Sequence, residues 1–213
     1  MKKSLCLIIA LTLCLGCVMC LASCSEEPVR DIYAIAADLN PTRTTTFVEY
    51  TTKDGEKLNG EYVLEVEGGD SIFTYTYERF RTADEAIADG SSEPIKTIEG
   101  AVYCKDGKYS SDGVVWGSSP VPTEIKFNLD KSKLSDINLS ADGRTLTAVL
   151  TKEAAVDVLG TDLSAEDYLI LTVTSNGTYL TGVTVICTTE SGAEVTVRTS
   201  YSYNKITLEF PEA

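Results

Sequence analysis

Residues 168–211 read YLILTVTSNGTYLTGVTVICTTESGAEVTVRTSYSYNKITLEFP. Leu169, Leu171 and Val173 alternate with Ile170, Thr172 and Thr174, and Val183, Val185 and Cys187 alternate with Thr184, Ile186 and Thr188. A period of two marks strands. Asn176-Gly177 and Ser191-Gly192 interrupt the alternation at hairpin-like positions. The stretch predicts strands over 168–174, 178–189, 194–203 and 206–210, with antiparallel neighbours as the economical topology.

The same pattern extends upstream. From Cys24 onward the chain holds 25 threonines interspersed with tyrosine and valine, and strands are predicted over 45–52, 61–67, 71–81, 95–104, 123–129 and 145–150. Asp54-Gly55, Gly68-Gly69-Asp70, Asp106-Gly107 and Asp142-Gly143 supply the turns of a meander. Two segments break the strand period, 82–88 (TADEAIA) and 152–159 (KEAAVDVL). Each suits about two helical turns covering or edging the sheet. Ahead of the strands, residues 27–39 (EPVRDIYAIAADL) place Val29, Ile32, Ala36 and Leu39 on one stripe with Tyr33 beside it. Pro28 suits the first turn and Asn40-Pro41 ends the helix. A helix this short needs a surface to lie against, and the sheet is that surface.

Several strands carry apolar residues on both faces. Tyr62, Leu64 and Val66 alternate with Val63, Ile72 and Phe80 oppose Phe73, Tyr75 and Tyr77, and Leu180 and Ile186 oppose Tyr179, Val183, Val185 and Cys187. Antiparallel sheets commonly leave one face polar, so this pattern predicts that the second face meets a helix, another layer or an apolar ligand.

The N-terminus reads MKKSLCLIIALTLCLGCVMCLASC. Lys2 and Lys3 precede an almost wholly apolar run, and Leu21-Ala22-Ser23-Cys24 has the lipobox shape of apolar, small, small, cysteine. The segment resembles a bacterial lipoprotein signal peptide. That resemblance implies a signal over 1–23, acylation of Cys24, a tether over 24–26 and one domain over 27–213, facing the extracytoplasmic side of a cell membrane. Two or three acyl chains anchor stably where one is marginal.

The whole chain has 213 residues, 18 basic and 32 acidic side chains, a formal charge of −14 and no histidine. This balance argues against a nucleic-acid partner and against anionic lipid bound through a basic face. Without histidine there is no histidine triad, no histidine-ligated zinc and no histidine pH switch. Four of the seven cysteines lie in the signal, and Cys24 would be acylated. Cys104 and Cys187 remain, either as one disulfide or as a buried reduced pair, and two thiols alone do not complete a zinc shell.

The order of elements, with the cadence Tyr201, Tyr203, Asn204 followed by Ile206, Leu208, Phe210 and Pro211, resembles the clamshell half-barrel superfamily of outer-membrane lipoprotein carriers and related lipoproteins. The resemblance implies a mainly β (α+β) fold, a strongly curved antiparallel half-barrel wrapped around the N-terminal helix and short helices, with a cavity for acyl chains.

The residues themselves support an apolar pocket lined by Tyr62, Leu64, Val66, Phe73, Tyr75, Tyr77, Val102, Tyr103, Leu169, Leu171 and Val173, unless these only fill a core. The function expected is binding or carrying of a lipid or other hydrophobic ligand by a membrane-anchored lipoprotein without metal or cofactor. The alternative is a non-catalytic surface module for glycan, peptide or protein, presenting Trp116 from its Gly-rich loop. Enzyme chemistry is not expected. Glu61, Glu65 and Glu67 share a strand face in threonine company, and no nucleophile elbow, phosphate-binding glycine loop or calcium loop is present.

Overall fold

The computed structural model describes residues 30–80, 94–118 and 127–211. Asp31–Ala213 forms one compact unit. Helix α1 (Ile32–Ala37) is followed by β1 (Arg43–Thr51), β2 (Lys57–Glu67), β3 (Asp70–Arg79), β4 (Lys96–Lys105) and β5 (Lys108–Ser110). Then come β6 (Ser135–Leu139), β7 (Thr145–Thr151), helix α2 (Lys152–Leu159), β8 (Ala165–Ser175), β9 (Leu180–Thr189) and β10 (Glu194–Ser202). All ten strands lie in one sheet of order β5-β4-β3-β2-β1-β10-β9-β8-β7-β6. Every neighbouring pair is antiparallel. Two meanders, β1–β5 and β6–β10, therefore meet along a single seam between β1 and β10.

The sheet is open, with β5 and β6 as its outermost strands among the described residues, and Tyr109 of β5 makes one further antiparallel bridge to Gly117. This corrects the half-barrel expectation and, with it, the resemblance to the lipoprotein-carrier superfamily. An incomplete barrel wrapped around helices would press its whole inner face onto one cover. Among the described residues the helices pack chiefly on the later strands: α2 packs on β7 and β8, and the six-residue α1 packs on β9. Full burial is concentrated there, with Leu146, Leu150, Leu169, Leu171, Val173, Leu180 and Val158 at 0% exposure. The mainly β character and the short accompanying helices agree with the sequence.

Side chains opposite one another across a ladder share a face. One such row runs Leu146, Val173, Val183, Thr199, Thr46, Tyr62, Tyr75, Gly100, and the next runs Ala148, Leu171, Val185, Val197, Val48, Gly60, Tyr77, Ile98. This is the apolar face. The opposite face carries Thr45, Glu49, Glu61, Thr74, Thr76, Thr172, Thr184 and Arg198, with ion pairs Arg43–Glu65 and Arg198–Glu49. Apolar residues on both faces of the sequence thus reduce to one continuous apolar face and a polar face with scattered apolar side chains.

Helix α2 matches its predicted span because its ends are written locally. The Thr151 side chain accepts from Ala154 N–H, and Gly160 stops the helix at φ 70°, donating to the Val156 carbonyl. Helix α1 is shorter than expected, and residues 27–29 of that expectation lie outside the described residues, as does the helix expected over 82–88. The strand expected over 123–129 falls partly outside them, and its described end, 127–129, is not a strand. The strand expected over 206–210 is also not one. Instead the chain after β10 runs as a strap. Thr42 Oγ1 donates to the Asn204 carbonyl at 2.6 Å, Leu208 N–H donates to Glu67 Oε2 at 3.0 Å, and Phe210 lies beside Tyr103 and Trp116 under Lys105.

Cys104 and Cys187 are buried free cysteines. Cys104 sits on β4 and Cys187 on β9, five strand spacings apart in the sheet order. At about 4.8 Å per spacing the separation is roughly 24 Å, against about 7 Å at most between the Cα atoms of a disulfide. The disulfide alternative is therefore corrected to two separate thiols. Nonreducing mass analysis of natively purified protein is expected to give the dithiol mass for Cys104 and Cys187, and both should alkylate on unfolding. A mass about 2 Da lower, with no alkylation, would contradict the sheet order.

Candidate functional site

Ten of the eleven predicted lining residues do share one face. Tyr103 alone points to the other, opposite Ile72. The ten nevertheless divide into two groups. Leu169, Leu171 and Val173 are at 0% exposure within the core and line no open space. Tyr62, Leu64, Val66, Phe73, Tyr75, Tyr77 and Val102 are half-buried on β2–β4, beyond the reach of α1 and α2.

The tyrosines there lie low on the sheet because glycines make room for them. A Cβ on Gly60 would meet the Tyr62 ring at 2.9 Å, and a Cβ on Gly100 would overlap the Tyr75 ring on the neighbouring strand. Tyr62 and Phe73 are near-parallel, 15° apart with centroids at 6.2 Å, and Tyr75 continues the shelf 6.1 Å from Phe73.

A cleft of about 400 Å³ opens where the helical cover ends and this shelf begins. Its floor is the apolar face of the β1–β10–β9 seam, with Val48, Val185 and Val197 central. One wall is Tyr62. The other is the chain leaving α2, with Leu159 and Leu163, joined by Phe127. That wall is held in place by two local devices: the left-handed Gly160 turns the chain out of α2, and Asn128 N–H donates to the Val158 carbonyl at 2.8 Å, pinning the segment after Phe127. A shallower hollow of about 210 Å³ continues past Tyr62 over Val48, Tyr50, Leu58, Gly60 and Tyr77.

Polar groups in the cleft are few. Thr46 and Thr199, cross-strand partners, join their hydroxyls at 3.0 Å. Tyr201 brings a phenol whose pKa is pushed well above the ordinary tyrosine value, chiefly by burial and then by neighbouring Tyr203. It stays protonated at neutral pH and can donate a hydrogen bond to an acceptor in the cleft. An apolar cavity of this size with a few oriented hydroxyls suits an alkyl or aryl body carrying an acceptor group.

Trp116 is half-buried. Its indole N–H donates to the Gly113 carbonyl at 3.1 Å and its ring lies 6.2 Å from Phe210. The loop is fixed by Asp112, whose carboxylate accepts from Val114 N–H, Val115 N–H and Ser110 Oγ, each at 2.9 Å. Those bonds, Val115 first, hold its pKa below the usual carboxylate range. The indole is thus folded back onto the strap, with one part of its surface still open. Cys24 lies outside the described residues. Among the described residues no helix is long and apolar enough to cross a membrane, and no three acidic, cysteine or histidine side chains cluster as metal ligands.

Val48, Val197, Thr199, Tyr201, Phe127 and Leu163 were not among the expected lining residues. The alternation of 45–52 and 194–203 contained part of that signal, but only the β1–β10 pairing brings those strands together.

No protein-family model matches the chain, and no curated protein matches it. Among solved structures, a hypothetical protein from Chlamydia trachomatis aligns over 86% of this chain and 99% of its own, with 8% identity and a TM-score of 0.31. A likeness that loose carries no argument.

Proposed function

We propose that this protein is a non-catalytic, membrane-tethered binding module for a small amphiphile, which places its apolar part in the cleft over Val48, Val185 and Val197. The observation that carries this reading is the cleft itself: about 400 Å³ with a largely apolar lining, opening onto the aromatic shelf of β2–β4. Removing hydrocarbon from water there contributes roughly 25 cal/mol per Å², and the Tyr201 phenol gives the acceptor end an orientation. The test is titration of the full-length protein with a fluorescent fatty acid. Filling the cleft by Val197→Trp should weaken binding at least about 10-fold, near 1.4 kcal/mol, while Trp116→Ala leaves it unchanged. Equal affinity in folded V197W and wild type would defeat the reading.

The tether rests on the lipobox ending at Cys24. Metabolic labelling with a tagged fatty acid should mark the wild type and not Cys24→Ala, and only the wild type should sediment with membranes. Equal labelling of both would remove the anchor.

A further inference from the structure

On the opposite, polar face, β8 and β9 lose register between Ala165 and Leu169. Ala165 pairs with Thr189 and Leu169 with Cys187, so four steps along β8 span two along β9. The three intervening residues, Glu166, Asp167 and Tyr168, stand against Thr188 alone and form a bulge, a device that re-aims side chains. All three are exposed. They border a groove of about 440 Å³ that also takes in Ile170, Ile186 and Glu194.

Two properties coincide in this groove. Tyr168, Ile170 and Ile186 keep 58%, 41% and 48% of their surface exposed. Single exposed apolar side chains are ordinary, whereas three converging on one groove make a patch. Around them the charge is negative, with Glu166 and Asp167 on β8 and Glu194 on β10. Two strand spacings, roughly 10 Å, separate these carboxylates across the groove. Of the neighbouring cations, Arg198 is paired with Glu49, and Lys152 is held by Glu190 with Nζ to Oε1 at 3.2 Å, its pKa raised first by that bond and to a lesser degree by Asp167. The rim therefore keeps an excess of negative charge over an apolar floor.

We propose that this groove docks an extended peptide segment of a partner protein in which basic side chains flank an apolar one. In an extended chain, residues i, i+2 and i+4 project to one side and span about 13 Å. The outer two meet Glu166 with Asp167 and Glu194, and the middle one covers Tyr168, Ile170 and Ile186. The groove lies on the face away from the amphiphile cleft, so neither reading depends on the other.

The test titrates full-length protein with three labelled pentapeptides: lysine-serine-leucine-serine-lysine, its glutamate counterpart, and its all-serine-centred form. The first should bind, less tightly at about 500 mM than at about 50 mM salt, and the other two should bind at least about 10-fold more weakly. E166Q/D167N/E194Q should weaken the first peptide about 10-fold or more. E61Q/E78Q/E99Q makes the same charge change elsewhere on the same face and should leave binding within about 2-fold. The proposal is overturned if the lysine-leucine peptide does not bind, if the glutamate peptide binds as well, or if the two triple variants behave alike.

Discussion

Leu171→Ala should lower the unfolding free energy by about 3–5 kcal/mol, whereas Leu64→Ala should cost about 1 kcal/mol or less. Both leucines sit between one apolar and one polar neighbour, Val63 and Glu65 for Leu64 and Ile170 and Thr172 for Leu171, and both project from the same face of the same sheet. Leu171 is at 0% exposure under α2, between Ala148 and Val185. Its truncation leaves a cavity that surrounding strands close only in part. Leu64 is half-buried between Thr44 and Phe73, and water already reaches it. Urea unfolding of the two variants measures the contrast, and equal losses would mean that β2–β4 is covered as fully as β7–β9. A charge at Leu171 is therefore a folding variant. It cannot serve as a selective probe of ligand binding.

Stability should also fall steeply in alkali. Tyr201 has its pKa raised by burial and by Tyr203, and Tyr203 is raised by burial and by Tyr179. Both phenols stay protonated in the native state at pH values where the unfolded chain has begun to lose those protons. The contribution is intact below about pH 10, the unfolded tyrosine value, and is lost as pH rises toward the native values. In that window Tyr201 reduces stability by up to about 1.4 kcal/mol per pH unit, and the more exposed Tyr203 adds less because solvent screens it. Thermal or urea unfolding followed from about pH 9 to about pH 11.5 should show this slope, and Tyr201→Phe should flatten it. An unchanged slope in Y201F would show that the phenol is as well solvated in the native state as in the unfolded one.

The sequence was most legible where structure is encoded locally. Thr151 and Gly160 delimit α2 from the positions just outside its two ends, and the Asn176-Gly177 and Ser191-Gly192 turns separate strands that their own alternation defines. Placement of the cover was not legible. Leu64 and Leu171 read alike, and only the docking of α1 and α2 onto β7–β9 decides that one is core and the other shelf. For the same reason the expected pocket combined buried Leu169, Leu171 and Val173 with half-open Tyr62, Phe73 and Tyr75. Ile206, Leu208 and Phe210 show the converse: they alternate like a strand but form none, and the segment is held by Glu67 and by the rings of Tyr103 and Trp116. A period of two records which side chains are apolar, not whether a neighbouring backbone is present to pair.

The seam between β1 and β10 has a consequence in time. Apart from this ladder, each ladder in the sheet joins strands adjacent in sequence, which form quickly because little chain must be closed between them. The seam instead joins residues such as Thr46 and Thr199, 153 positions apart. A growing chain can assemble its early hairpins as they emerge, but β1 keeps an unpaired edge until the last strand has been synthesised. During that interval the first meander is a template for pairing with another chain, and release of residues 194–202 ends the exposure. A nascent chain stalled before β10 is thus expected to aggregate more readily than the completed chain.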